Sequence, residues 1–355
     1  MTTFYIIHQR LAIALVFTLG VFLQAAEVQP KVRLDGTYDI RTLPEDLIRP
    51  TAFADAPSAG AVFMDQVANP TFFPKGRPAS PNALQGHAVY LPTNWVKGKR
   101  YPVIFEYLGN TVGVQSLKGI GYGLVGERDF IWVVLPIVSA YPSTQPDIIM
   151  NWGNGSALVN TVAYAKQAVR EVCEKWGGDS ANCVLVGYSR GGVACNLIGL
   201  YDDEIASLWK AMVVGAHYFS DGMDITGTKI PLGAADYKTV AKEHLARLGK
   251  IPQLCVAEYN TDVLSGNPDK LLIPKIEEAG CKNIGEAIAT FTLKPVYDSS
   301  LTGTKAFIER NKPAGSSVTF YSLPWVNHGS IFTLRNTPER VFIRNWIRSN
   351  VGLSK

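Results

Sequence analysis

Residues 87–352 alternate strand-like and helix-like segments, which predicts an α/β fold: a mainly parallel central sheet with helices on both faces. Two further observations support this. The apolar runs Val103–Tyr107 and Phe130–Val138 lack polar alternation, as strands covered on both faces do. The composition allows a large core, since 47% of the 355 residues are hydrophobic and only 18% are charged.

The N-terminus reads as a signal peptide over residues 1–26. Arg10 precedes the apolar run Leu11–Leu23, and the small residues Ala25 and Ala26 follow it. The run is short for a membrane anchor, although an uncleaved anchor is the alternative. No cysteine stands at the junction, so lipid modification is not indicated. The expectation is a secreted or periplasmic protein with no stable membrane span after cleavage. Residues 27–86 are rich in Pro, Ala and Asp and show little periodicity, as expected of an irregular segment wrapped on the core with room for short strands. The net charge of +4, without a long basic run, argues against a nucleic-acid partner.

From residue 87 onward the elements follow in order. "HAVYLP" alternates like a strand, and a turn then leads into the strand Val103–Tyr107. Phe130–Val138 is a second buried strand candidate. Helical spacing runs from about Ser156 to Lys175, then a strand from Cys183 to Val186 and a helix from about Gly191 to Leu200. "KAMVVGAHY" reads as a strand, Tyr237–Leu248 as a helix, "PQLCVAEYN" as a strand, "TKAFIERN" as a helix and "SVTFYSLP" as a strand. The closing helix is opened by Thr337, with Pro338 in its first turn and Glu339 behind. Residues 265–302 exceed a normal connection and read as a helical insertion near the site. No internal repeat or Gly/Ser-rich linker divides residues 87–355, so one domain is expected. Of the five cysteines, Cys173 and Cys183 flank one helix-to-strand link and suit either a bridge or burial as thiols; Cys195, Cys255 and Cys281 complete the set. No spacing of Cys or His points to a metal site.

The segment with the most chemistry is Gly187-Tyr188-Ser189-Arg190-Gly191, between a buried strand and a helix. The glycines suit a turn that brings strand and helix too close for side chains. The serine then sits in strained backbone at the helix N-terminus, exposed and near the positive dipole end. A helix-capping serine is the plainer alternative. A serine nucleophile needs a base. His328, in "PWVNHGS" after the last strand, can reach the same sheet edge. His87 and His244 suit packing or solvated roles, and His217 suits pocket lining. The base needs a carboxylate. Asp262, just beyond "CVAEYN", is the first candidate, with Glu258 and Asp221 as rivals. The oxyanion needs two amide donors. Arg190 N–H supplies one, and Asn110 N–H, with Gly109 as alternative, the other. Tyr107, Trp152, Tyr188, Tyr259 and Trp325 stand near predicted loop ends and could line a pocket; Trp152 and Tyr188 are the foremost for substrate binding.

On "GYSRG", "YPVIFEYLGN" and the late "NHG", the chain resembles the α/β-hydrolase superfamily over about residues 87–352. Its layout is similar to secreted esterases of the feruloyl-esterase and polyhydroxyalkanoate-depolymerase kind. Such proteins carry His-Gly at the oxyanion loop, whereas Leu108-Gly109 stands here. Glucuronoyl esterases share a Gly-x-Ser-Arg-x-Gly elbow, matched by Gly187, Ser189, Arg190 and Gly192, but Val193 replaces their lysine. Prolyl-oligopeptidase-like peptidases have a similar catalytic domain, and no stretch long enough for their propeller precedes it here. The resemblance implies an α/β-hydrolase catalytic domain over residues 87–355. It also implies a serine hydrolase acting on a small-molecule or polymer-linked carboxylic ester without a cofactor. A peptidase or acyltransferase with the same triad, or a binding protein on a hydrolase scaffold, are the alternatives.

Overall fold

Strands buried on both faces need crossovers that run back over the sheet, and the apolar runs from residue 101 onward are spaced for this. A computed structural model describes residues 44–47, 53–69, 72, 86–109, 119–138, 156–220, 237–258, 260–261, 295–296, 299–323, 331–334 and 336–353. Among these, the elements in chain order are β1 (Val62–Asp65), β2 (His87–Tyr90), β3 (Tyr101–Tyr107), α1 (Ile120–Val125), β4 (Ile131–Val134), α2 (Ser156–Trp176), β5 (Gly178–Tyr188), α3 (Arg190–Leu197), α4 (Asp203–Ala206), β6 (Ala211–Gly215), α5 (Tyr237–Ala246), β7 (Gln253–Glu258), β8 (Asn260–Thr261), β9 (Pro295–Val296), α6 (Ser299–Asn311), β10 (Val318–Leu323), α7 (Ile331–Leu334) and α8 (Pro338–Asn350).

Eight strands form one sheet in the order β1-β2-β4-β3-β5-β6-β7-β10. Only the β1–β2 and β2–β4 pairs are antiparallel. The others are parallel, so β3, β5, β6, β7 and β10 end on one edge. Residues of β3, and Leu108 just after it, alternate between two cores. Val103, Phe105 and Tyr107 join the layer of α2, α3, α5 and α6. Ile104 and Leu108 join that of α1, α7 and α8. Helices therefore cover both faces, as expected.

Several elements differ from their expected bounds. The 27–86 segment contributes β1, which edges the sheet through β2. β5 starts at Gly178 rather than Cys183, because Gly178 pairs with Tyr101 across an irregularity in the β3–β5 ladder. α1 is an additional helix. Within 265–302, Pro295–Val296 pairs with Asn260–Thr261, and Ser299 already belongs to α6; the remainder lies outside the described residues, as does 1–26. No helix among the described residues is long and apolar enough to cross a membrane.

Polar contacts fix the helices that matter for the site. Thr337 Oγ1 accepts the Arg340 N–H (3.1 Å), capping α8 behind Pro338. Arg340 donates to Asp46 (2.8 Å), and Arg344 pairs with both Asp46 and Asp129. Asp46 thus fastens the Pro44–Leu47 turn to α8. On the other face Gln253 of β7 donates to the Asn196 side chain of α3 (2.9 Å) and accepts from the Tyr218 hydroxyl (2.8 Å). Cys173 and Cys183 are buried thiols with sulfurs 3.9 Å apart, and Cys195 and Cys255 are buried thiols too. Cys281 lies outside the described residues.

His87 and His244 are both buried. His87 Nδ1 meets the Tyr164 hydroxyl (2.7 Å), and His244 Nδ1 meets the Asn196 carbonyl (3.1 Å). Burial lowers each pKa from 6.5 to about 4, against the field of Asp65 at His87 and the carbonyl at His244. A depressed folded-state value means that the unfolded chain binds the proton first. The neutral rings therefore favour the fold fully above the free value, and that advantage is lost as pH falls toward the folded value, by on the order of 3 kcal/mol each. His244→Gln should flatten this loss: the urea midpoint should change less between about pH 7.5 and about pH 4.5 than in the parent. An equal or steeper change in the variant contradicts the assignment.

Candidate active site

β5 ends at Tyr188 and α3 begins at Arg190, so Ser189 alone makes the turn between them. Its φ is 59° and ψ −128°, a conformation that costs a residue with a Cβ about 1–3 kcal/mol. Neighbouring backbone holds it there. The Ser189 N–H donates to the Gly215 carbonyl (3.0 Å), and the Gly192 N–H donates to the Ser189 carbonyl (2.9 Å). A Cβ on Gly187 would lie 2.1 Å from the Gly191 carbonyl oxygen, and one on Gly191 would lie 1.9 Å from that of Tyr107. Both glycines are therefore required by close approach. The Ser189 side chain makes no capping hydrogen bond to α3, unlike a helix-capping serine, and the residue is half-buried.

The end of β6 is also strained. Ala216 has φ 65°, and the His217 N–H donates back to the Gly215 carbonyl (2.8 Å), forming a γ-turn. One carbonyl thus accepts from both Ser189 and His217, so half-buried His217 borders the elbow. On the other side Gly109 backs onto the serine: a Cβ there would lie 3.2 Å from Ser189 Cβ and 3.7 Å from Ser189 Oγ. Arg190 is the first residue of α3, where backbone N–H groups lack intrahelical acceptors. Tyr188 is buried and its ring packs on Phe332 of α7 at 5.5 Å.

His328, Asp262, Asn110 and Trp152 lie outside the described residues, as do Asp221, Tyr259 and Trp325. The structure describes the chain on either side of the first two. β10 ends at Leu323, level with Glu258 of β7. The chain is described again at Ile331, and Phe332 lies against Tyr188. Thr261 in β8 immediately precedes Asp262. The flanks of both candidates thus belong to the strand-end edge that holds Ser189, the edge where ligands bind in open α/β sheets.

One ionisable group by the elbow has no counterpart among the sequence candidates. Glu106 on β3 is buried, and the Trp132 indole N–H donates to it (2.8 Å). Burial pushes its carboxyl up to about 7, against the backbone N–H groups of Gly121, Ile120 and Tyr122 and the indole. The sequence signal is a carboxylate inside an apolar strand. No group of three His, Cys, Asp or Glu side chains suited to a metal occurs among the described residues. A surface groove lined by Phe72, Val162, Lys166, Arg170 and Tyr201 lies past the C-terminal end of α3, whereas Ser189 is at its N-terminal end.

No protein-family model matches the chain. No curated protein matches it in sequence. Among solved structures it is similar to a truncated carbohydrate esterase from gut microbiota, with a TM-score of 0.50 and 14% identity over 87% of this chain and 99% of that one. The fold is that of the α/β-hydrolases. The chain is also similar to a ferulic acid esterase from Anaeromyces mucronatus (TM-score 0.49, 14% identity, 87% and 96% coverage). A third similar structure is an S-formylglutathione hydrolase from Agrobacterium tumefaciens (TM-score 0.46, 17% identity, 75% and 88% coverage). In this hydrolase fold the positive φ of Ser189 has a measurable signature. Ser189→Gly should raise the unfolding free energy by about 1 kcal/mol over Ser189→Ala, because glycine alone adopts that φ without strain. Equal stabilities of the two variants in urea titration would contradict a strained elbow.

Proposed function

We propose that the protein is a secreted serine hydrolase acting on carboxylic esters, with Ser189 as nucleophile. The observation that carries this reading is the backbone of Ser189. A strained φ, held by two flanking glycines and spent on no capping bond, is what a nucleophile at the head of a helix requires. His328 is the proposed base and Asp262 the carboxylate that fixes its tautomer, with Glu258 as the nearest rival. The contact between Tyr188 and Phe332 supports His328, because four residues of chain span at most about 14 Å. Arg190 N–H and Asn110 N–H are the proposed oxyanion donors, and Trp152 and Tyr188 the proposed pocket residues. One structural relative is a carbohydrate esterase by name, which agrees with ester chemistry.

His328 takes the Ser189 proton as Oγ attacks the acyl carbon. The amides hold the tetrahedral oxyanion, and the imidazolium returns the proton to the departing alcohol. Water, activated by the same base, then releases the acid from the acyl-enzyme. No step calls for a cofactor. The substrate is a small or polymer-linked ester. Residues 1–26 act as an export signal, residues 27–86 as a segment wrapped on the core, and residues 87–355 as one catalytic domain with an insertion over 265–302.

The test combines a fluorophosphonate probe with a short p-nitrophenyl ester and a peptide substrate. The wild type should be labelled and should turn over the ester in preference to the peptide. Ser189→Ala should lose labelling, and both Ser189→Ala and His328→Ala should lose about a thousandfold or more in ester turnover. Labelling that persists in Ser189→Ala rules out this nucleophile. Preference for the peptide favours the peptidase reading.

A further inference from the structure

Glu106 projects from β3 toward the layer of α1, α7 and α8, since its neighbours Phe105 and Tyr107 face the opposite core. Its carboxylate accepts from the N–H groups of Ile120, Gly121 and Tyr122 in the first turn of α1 and from the Trp132 indole (2.8 Å). All four are donors, a set that suits the acceptor-only ionised carboxylate. The backbone makes room for it. A Cβ on Gly119 would lie 2.3 Å from Glu106 Oε1, and one on Gly121 would lie 2.5 Å from Oε2. The N–H groups of Ile120, Gly121 and Tyr122 thus form a cradle, with glycine at 119 and 121 where a Cβ would collide, filled by the chain's own carboxyl group.

This contact joins the end of β3, which borders the elbow, to the start of α1. Immediately after Glu106, Tyr107 presents its carbonyl to Gly191 and Gly109 backs onto Ser189. Thirteen residues after Glu106, at Gly119, the chain is back against the same carboxylate. One buried side chain holds the departure and the return of the β3–α1 connection, the segment from which the second oxyanion donor is proposed to come.

We propose that Glu106 is a positioning residue for the ester reaction: by tying the start of α1 to β3, it holds the Leu108–Gly109 backbone against Ser189 at the spacing that oxyanion stabilisation requires. The inference rests on Ser189 being the nucleophile. Glu106 touches no reacting atom, so its removal should weaken transition-state stabilisation more than substrate binding.

The experiment compares a p-nitrophenyl ester with its thiono analogue, whose sulfur is a poor partner for amide donors. Glu106→Gln turns an amide NH2 toward backbone N–H groups. It should lower kcat on the oxo ester by about 10–100-fold, change KM less than about threefold, and reduce the thiono rate far less, so that the oxo/thiono preference shrinks. Trp132→Phe removes one donor, keeps most of the packing, and should show the same pattern with a loss of about 3–10-fold. Loss of folded protein would instead lower both rates by one common factor, with folding monitored by circular dichroism and thermal unfolding. If Glu106→Gln does not fold, Trp132→Phe decides. An unchanged oxo/thiono ratio in the deciding folded variant overturns the clamp. If the wild-type Ser189 is not labelled by the fluorophosphonate, the serine reading itself fails and the clamp with it. Labelling alongside an unchanged ratio overturns the clamp alone.

Discussion

The carbonyl oxygen of Tyr107, at the end of β3, occupies the space that a side chain on residue 191 would need. This contact sets how closely three pieces of backbone meet: the end of β3, the end of β5 and the first turn of α3. With glycine at 191 and 187, β5 can pass into α3 through one residue, and that residue takes a positive φ. The parallel register carries the arrangement outward, pairing Tyr107 with Gly187 and Tyr188 with Gly215. The Gly215 carbonyl then accepts from Ser189 and shapes the γ-turn before His217. The candidate site is the outcome of packing strands at one edge with no room for a Cβ at two positions.

Buried charge follows the same economy on the α1 side of the sheet. Surface carboxylates such as Asp202 and Glu204 meet Lys166 and Arg170 in partly solvated pairs, which contribute little to stability. Glu106 has no cation to pair with among its named donors and relies on three backbone N–H groups and an indole. Its folded-state pKa of about 7 lies above the ordinary 4.5. The unfolded chain therefore ionises first, and stability is lost as pH rises from 4.5 through 7, opposite in sign to the buried histidines. A fold that keeps such a group accepts a penalty on the order of 3 kcal/mol at alkaline pH, and local rules are broken in this way most often where function requires it.

Much of the architecture was legible in the residues. Val103–Tyr107 and Phe130–Val138 lack polar alternation because helices cover both faces; the first falls within β3 and the second contains β4, and "PQLCVAEYN" contains β7. The closing helix announced itself through Thr337 and Pro338, and Thr337 caps it. α1 was not legible. Gly121 and Gly123 lower its propensity, and it forms because Glu106 accepts its first N–H groups and the Thr333 backbone packs against Gly123. β1 has four residues at a sheet edge, too few to show a period. At the candidate site, the pattern Gly-x-Ser-x-Gly between a buried strand and a helix was enough to predict the strained turn at Ser189, since the constraint there is local. The role of Glu106 depends on backbone that returns to it from residues 119–122, and no local pattern carries that information. His87 and His244 read as ambiguous on their own elements, and only tertiary burial settles them as packed residues.

The proposed ester hydrolysis requires a hydroxyl, an imidazole and a carboxylate to gather at the edge where β5, β7 and β10 end. A crystal structure of the wild-type protein after reaction with a fluorophosphonate tests it most directly. The account predicts phosphorus bonded to Ser189 Oγ, a phosphoryl oxygen accepting the Arg190 N–H, and the His328 imidazole within hydrogen-bond reach of the adduct. An ordered His328 on the opposite side of the sheet, or an adduct on another residue, would contradict it.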